Sequence, residues 1–417
     1  MQAYSLGRNG AMPDTREERL MSVAESAIVG IGRTQYWKRG ESVGHTPLQL
    51  VISAIRAALD DAGLGFDDVD GFALYATGFD TALLAQTLGI PNVRFTAALT
   101  GGGGGSAGSI GLADAAIRSG QASVVVSFLA VQQPPEARFG SAFANTSKKS
   151  QYSYSPSSEK DFILSSALVS PGQAFAMLAR RHMHEFGTSR EHFAEVAIST
   201  RVNAMNRETA LMREAMTLDD YFAARMISDP LCLLDFCVES DGAVAVVTTT
   251  AERARDLRHR PIPILASAHG GAGSWGQAIG WFGMPDDVFA SSGYEPVAKD
   301  LFARAGLAAS DVDVALLYDH FSPLVLLQLE DFGFCPRGQG GPFVADGNIR
   351  FEGGSIPVNT HGGNLSEAYV IGMTHIYEAV EQLRGTAVNQ VRDAEVALVS
   401  GGPASIPVSA LLLGRDS

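Results

Sequence analysis

One segment of this sequence occurs twice. Ala62-Gly63-Leu64 is followed by Asp68-Val69-Asp70 and then Gly71-Phe72-Ala73-Leu74-Tyr75. Ala305-Gly306-Leu307 is followed, at the same spacing, by Asp311-Val312-Asp313 and then Val314-Ala315-Leu316-Leu317-Tyr318. In each copy a helical pattern stops at a glycine, a residue that closes helices because it tolerates the left-handed backbone. The apolar run after the aspartates reads as a buried strand. A helix–turn–strand unit that recurs within 417 residues predicts an α/β molecule built from two similar halves of roughly 200 residues each. We place the halves at 23–255 and 256–417. Residues 1–22 carry charges throughout and lack the apolar middle of a signal peptide, so they are expected to be a flexible extension.

The remaining elements fit that frame. Ala27 to Gly32 is a short apolar run ended by glycine, and Thr46-Pro47 is a helix start with apolar residues following at Leu48, Val51, Ile52, Ile55 and Leu59. Thr100 is followed by five glycines and Ser106, then a helix from about 107 to 119 and a strand Ser123–Phe128. Residues 131–165 are rich in Pro, Ser, Asn and Lys without period, and the whole stretch 131–230 is expected to be an excursion from the first half, with helical patterns at Gln173–Phe186 and Ser189–Asn206. Asp241-Gly242 reads as a turn into the strand Ala243–Val247. In the second half Ile262–Ala266 reads as a strand, His269–Gly276 as a glycine-rich loop and Glu295–Ala305 as a helix.

Composition bounds the function. A net charge of −14 argues against nucleic acid, whose phosphates need clustered Lys and Arg. Cys232, Cys237 and Cys335 are odd in number and at no metal-binding spacing, which fits a reducing, cytoplasmic setting without disulfides. No run of about 18 apolar residues is present to cross a membrane.

Two stretches carry chemistry. Five consecutive glycines at a helix start present several N–H groups to one point, as a phosphate or a developing oxyanion requires. No Gly-Lys-Ser/Thr follows, so this is not a mononucleotide loop; close helix packing is the plain alternative. The second stretch runs from Asn359 through His361-Gly362-Gly363 to Tyr369. Apolar residues at Ala368, Ile371, Ile376, Ala379, Val380 and Leu383 predict a helix from Ser366 to about Leu383, which places Tyr369 in its first turn, where the helix dipole favours a phenolate. On that helix His375 falls on a different face and outside the site.

The duplicated layout, the glycine-rich helix start and the Asn…Gly-Gly turn together resemble the thiolase superfamily, and within it the sterol-carrier or lipid-transfer branch. Ser240-Asp241-Gly242-Ala243, Glu330 to Cys335 and Pro357 to Gly363 carry the resemblance, which covers about residues 25–415. It implies a five-layered α-β-α-β-α fold with two mixed sheets around central helices, commonly dimeric. A thiolase needs a nucleophilic Cys at or near Gly103 and a second Cys near Val399–Gly401, and neither is present. Without a thiol no acyl-thioester forms on the enzyme.

The chain looks like a subgroup of that branch, the steroid side-chain aldolases, which cleave β-hydroxyacyl-CoA thioesters by a retro-aldol reaction. By that resemblance Tyr369 and Tyr318 are the acid–base pair, with His320 as a polarising neighbour that lowers a phenol's pKa. Backbone groups at Gly103, Gly104, Gly362 and Gly363, together with His361, bind the thioester and its enolate. Asp319 reads most simply as a turn residue. The resemblance implies coenzyme A as part of the substrate, no covalently bound cofactor and no metal. It also implies a homodimeric core with a separate small partner bearing an OB-fold and zinc ribbon, since this chain has no Cys-x-x-Cys. Two rival readings stand beside it: a Cys-independent acyltransferase, and a lipid carrier without chemistry.

Overall fold

The computed structural model describes residues 24–75, 79–99, 104–133, 135, 167–168, 170–271, 290–404 and 407–416. The charged extension 1–22, most of the Pro/Ser-rich stretch 131–165 and residues 272–276 of the expected glycine-rich loop lie outside the described residues. β1 is Ser26–Arg33, followed after a two-residue strand, β2 (Trp37–Lys38), by helix α1, Pro47–Ala62. Thr46 begins α1 as its sequence predicts: the Gln49 N–H donates to its hydroxyl at 3.2 Å, and its own N–H donates to the Gln49 side chain at 2.8 Å. Gly63, at φ 74°, ends it.

β3 (Gly71–Tyr75) and β4 (Phe95–Leu99) are parallel, and α2 (Gly105–Arg118) leads from the glycine run into β5 (Val124–Val131). After a small hairpin, β6 (Met226–Ser228) and β7 (Leu231–Cys232), the long β8 (Ser240–Thr250) completes the first half. The second half contributes β9 (Ile262–Gly270), β10 (Val314–Leu316), β11 (Val396–Gly401) and β12 (Val408–Gly414). The two sheets join edge to edge where β1 meets β9 through Ala27–Pro263 and Ile28–Ile262, giving one ten-stranded path, β10-β11-β12-β9-β1-β8-β5-β3-β4 with β2 on β8.

Alternation along the strands sets the layers, because successive side chains face opposite ways. In β8, Ala243, Ala245 and Val247 face outward onto Val51, Ile55 and Leu59 of α1. Val244 and Val246 face inward, into a core shared with Ala107 and Ile110 of α2 and with Ile376, Ala379 and Val380 of a helix at Met373–Arg384. Ala397 and Val399 of β11 enter that same core from the other side, while Val396 and Leu398 face outward toward Val297 and Leu301 of the helix Glu295–Ala305. The order is helix, sheet, central helices, sheet, helix: the five layers the resemblance implies. Gly30 and Gly32 let α1 lie directly on β1, since a Cβ there would stand 2.1 Å from the Ala58 carbonyl oxygen and 2.3 Å from that of Ala54.

Two expectations need correction. The excursion does not extend to 230, because residues 171–205 form two helices, α3 (Pro171–Phe186) and α4 (Arg190–Met205). Their Phe175, Leu178, Phe193 and Val196 are buried in the core of the second half with Leu324 and Val344. Asp241-Gly242 is not a turn but part of β8. The Asp241 carboxylate takes hydrogen bonds from Gly40 N–H at 3.0 Å, the Ser42 hydroxyl at 2.7 Å and Gln133 N–H at 2.9 Å, so it anchors loops to the strand instead of bending it.

Candidate active site

Tyr318 and Tyr369 meet. Their hydroxyl oxygens are 2.9 Å apart, both rings are buried, and the ring planes stand at 81°. Tyr318 lies just beyond β10, on a backbone fixed by a closed circuit. Its N–H donates to Ser400 Oγ at 2.9 Å, the Ser400 hydroxyl donates to Gln328 Oε1 at 2.6 Å, and Gln328 Nε2 donates to the Tyr318 carbonyl at 3.0 Å. Ser400 thus stands in the stretch where a thiolase carries its second cysteine. Gln328 projects from the helix Pro323–Asp331.

Tyr369 reaches the pair by a different backbone than its spacing predicts. Gly363–Glu367 forms a single π-helical turn, Ala368 is extended at φ −165°, and the helix begins only at Met373 behind Gly372 at φ 80°. Tyr369 therefore sits in a short extended link, not in a helix's first turn, and its N–H donates to the Ser240 hydroxyl at 2.8 Å. Asn359 holds the other end of this segment: it accepts from the Leu317 N–H and donates to the Leu317 carbonyl, both at 2.8 Å.

The electrostatics reverse a second expectation. Burial raises both phenols above their ordinary range. Tyr75 at the end of β3 and the Cys237 thiol, which burial likewise pushes up, further oppose charge on each of them. His320 is not a cation that could lower a neighbouring phenol. Its ring packs among Tyr318, Phe175 and Phe321 at 5.1, 4.6 and 4.8 Å, and burial drives its pKa down to about 3, so it is a neutral imidazole.

The glycines turn out to face protein. A Cβ on Gly362 would meet Ala204 at 2.7 Å and one on Gly363 would meet Asp319 Oδ2 at 2.0 Å, while the Gly362 N–H is committed to the Asn359 carbonyl at 2.8 Å. Gly362 thus has no N–H to offer an enolate. Gly104 stands just before α2 with its carbonyl accepting from the Ser409 hydroxyl, and Gly103 lies outside the described residues. His361 is wholly buried, its pKa held well below the usual value by burial, then by His375, Arg207 and Arg33. It contacts His375 edge-on at 4.8 Å, and His375 in turn stacks on Tyr318 at 6.2 Å.

A family model described as "Thiolase C-terminal domain-like" matches residues 281–413. The 17-hydroxy-3-oxo-4-pregnene-20-carboxyl-CoA lyase of Mycobacterium tuberculosis is 39% identical over 94% of this chain and 100% of its own length. A steroid side-chain-cleaving aldolase of Thermomonospora curvata is 39% identical over 94% of this chain and 98% of its own. Among solved structures, one titled "Ltp2-ChsH2(DUF35) aldolase" superposes with a TM-score of 0.86, at 39% identity, covering 94% of this chain and 98% of that one. The chain belongs to this family of thiolase-like steroid side-chain aldolases.

Within this aldolase several site residues escape the sequence reading. Ser106, in the first turn of α2, is fully buried with a hydroxyl that has no hydrogen-bond partner among the described residues. It lies against Gly372 and Gly401, where added Cβ atoms would stand 2.8 and 2.7 Å from its oxygen. The Cβ on Gly372 would also meet the Tyr318 ring at 2.7 Å, so the starts of two central helices converge beside that ring. Tyr75 carried a signal that was available: it ends the first copy of the repeat whose second copy ends at Tyr318. His375 carried none, because its position depends on Gly372 delaying the helix. Among the described residues no group of three or more His, Cys, Asp or Glu is arranged to hold a metal ion, and no helix is long and apolar enough to cross a membrane.

Proposed function

We propose that this chain is a carbon–carbon lyase that cleaves a β-hydroxyacyl-CoA thioester with a bulky, steroid-like acyl group into a ketone and a short acyl-CoA. The name of the mycobacterial relative supports the substrate class: a 17-hydroxyl beside a 20-carboxyl thioester is a β-hydroxyacyl arrangement. The observation that carries the reading is the buried hydroxyl pair of Tyr318 and Tyr369 at 2.9 Å. In a retro-aldol step the bond between the α- and β-carbons breaks, its electrons pass to the thioester as an enolate, and the β-hydroxyl loses its proton. The α-carbon gains one in exchange, so the proton count closes within the site.

Two hydrogen-bonded phenols suit that balance. One oxygen accepts the β-hydroxyl proton as it passes its own to the second, and in the same event the second gives its proton to the α-carbon, so the pair never holds more than two protons. Neither needs to exist as a phenolate before substrate arrives, which fits their raised pKa values. His320, as a neutral ring, shapes the aromatic wall of the pair. The start of α2 near Gly103, Gly104 and Ser106 is the place for the enolate oxygen. Acyl transfer is the weaker reading, since the thiol nearest the pair, Cys237, is pushed up by burial and is a poor nucleophile.

We further propose that the enzyme works in the cytoplasm, where its three unpaired cysteines would stay reduced. The solved relative's title names a DUF35 protein with it, which supports a separate partner for this chain; we propose that the partner is of OB-fold and zinc-ribbon type and that this chain forms a homodimeric core. The test is to co-express the chain with such a partner, purify the complex and measure short acyl-CoA release from a β-hydroxyacyl-CoA steroid. Release of acyl-CoA and ketone in equal amounts is expected. Sterol binding by the purified chain with no release, with or without the partner, would replace this reading with the carrier one.

A further inference from the structure

We infer that Asp319 is the positioning residue that holds the two tyrosines in contact; the inference rests on the lyase reading above. The residue adjoins Tyr318 in sequence and is fully buried. Its carboxylate reaches across to the segment that carries Tyr369: Oδ1 accepts the Asn364 N–H at 2.7 Å and Oδ2 the Leu365 N–H at 3.3 Å. Both donors belong to the π-helical turn, whose free N–H groups a carboxylate satisfies well. Gly363 permits the approach, since any Cβ there would collide with Oδ2. The turn ends at Glu367, two residues before Tyr369, so this one side chain spans the two backbone segments whose hydroxyls must meet.

A second arm runs through His375. Its Nε2 faces two acceptors, Asp319 Oδ1 at 3.2 Å and the Leu317 carbonyl at 3.0 Å. Two acceptors on one nitrogen require that nitrogen to carry hydrogen, which leaves Nδ1 to accept from the Thr374 hydroxyl at 3.3 Å. The ring so fixed lies at 23° to the Tyr318 ring. Asp319 and the Leu317 carbonyl together therefore fix the ring on which Tyr318 rests, and Asp319 ties it to the turn that delivers Tyr369.

Asp319→Asn tests the inference. With its oxygen in the place of Oδ1 the amide still accepts from Asn364 and His375 but turns its NH2 toward the Leu365 N–H; flipped, its NH2 opposes both Asn364 N–H and His375 Nε2, so either orientation loses a contact to the turn. In the complex, kcat for acyl-CoA release is expected to fall at least about 100-fold while KM stays within about threefold, because proton transfer is lost and thioester binding is not. Nitrogen NMR of labelled histidines, with the His375 resonance assigned from a His375→Gln sample, is expected to show an Nε2–H tautomer in both proteins, because the Leu317 carbonyl still accepts from Nε2, with the Nε2 resonance displaced in Asp319→Asn where the carboxylate is lost. His375→Leu is expected to lose activity, and His375→Gln, whose amide donates from nearly the same place, to recover at least a tenth of wild-type kcat.

A wild-type kcat in Asp319→Asn overturns the inference, as does a His375→Gln as inactive as His375→Leu, which would make the ring a proton carrier. Should Asp319→Asn fail to fold, the His375 pair decides alone. If instead Phe at 318 or 369 leaves turnover intact while the His375 Nε2 resonance is displaced in Asp319→Asn, the tyrosine reading fails and the positioning contact stands.

Discussion

Replacing the paired tyrosines singly and together decides whether they work as one device. Tyr369→Phe deletes one end of the 2.9 Å hydroxyl contact and nothing else of the ring. The stability cost is small: one buried hydrogen bond is worth about 1 kcal/mol net, and the variant no longer buries the second hydroxyl. The cost in rate is larger. A positioned proton-transfer group contributes about 10²- to 10⁴-fold, or about 2.7–5.5 kcal/mol of barrier. Were the phenols independent acid and base, Tyr318→Phe with Tyr369→Phe would multiply to about 10⁴- to 10⁸-fold. In a relay, either single change breaks the same proton path, and the double variant loses no more than the worse single one, about 10²- to 10⁴-fold. The assay is single-turnover acyl-CoA release by the chain with its partner protein, at saturating substrate and fixed pH. A single variant within threefold of wild type, or a double variant in which the losses multiply, refutes the relay.

Two further perturbations probe what holds the pair in place. Arg207, almost wholly buried, bonds to Glu367 at the end of the π-helical turn and, at 2.9 Å each, to Glu378 and Glu381 of the following helix. Arg207→Ala strands buried carboxylates and is expected to cost about 3–5 kcal/mol in urea unfolding, where a loss under 1 kcal/mol would show the cluster to be dispensable. His361 and His320 are held neutral in the fold, so the unfolded chain binds more protons below pH 6.5 and stability falls with acid. At pH 5.5 the His361 share is about 1.4 kcal/mol relative to neutral pH, and it should vanish in His361→Asn; an acid dependence unchanged by that substitution would assign the loss elsewhere.

Most of the architecture was readable because it depends on local signals that repeat. Thr46-Pro47, Gly63 and the two Asp-Val-Asp copies mark helix and strand ends in sequence, and the alternation in Ala243–Val247 declares a two-sided strand. The site was readable only in part. Tyr318 and Tyr369 follow from where the family motifs fall, but the backbone that brings them together does not. Ala368, Ile371 and Ile376 keep helical spacing although the helix starts at Met373, because burial of those side chains in the central core is compatible with either path. Gly372 was the signal for the later start, and a single glycine inside an apolar period is weak evidence. The hydrogen-bonding of Asp319 and His375 depends on that late start, so neither could be weighed correctly before it was known. The phenol pKa values were misjudged for a related reason: a helix N-terminus was invoked for Tyr369, whereas depth of burial decides.

The duplication bears on the chemistry as well as on the fold. The first copy of the repeat ends at Tyr75 and the second at Tyr318, and both tyrosines arrive at the same buried place with Tyr369 beside them. Burial disfavours ionisation of all three, so a phenolate is costly there and a proton is moved most cheaply between neutral oxygens. The negative charge of a thioester enolate must then be met elsewhere. The Tyr318 ring lies where α2 and the helix Met373–Arg384 both begin, with Ser106 and Gly372 in contact. Helix starts carry unpaired N–H groups and a positive partial charge. In the reaction proposed above, proton traffic through the phenols and charge stabilisation at the helix starts are kept apart by the Tyr318 ring. That reaction needs no nucleophile to connect them, so glycines can stand where a thiolase carries its cysteine.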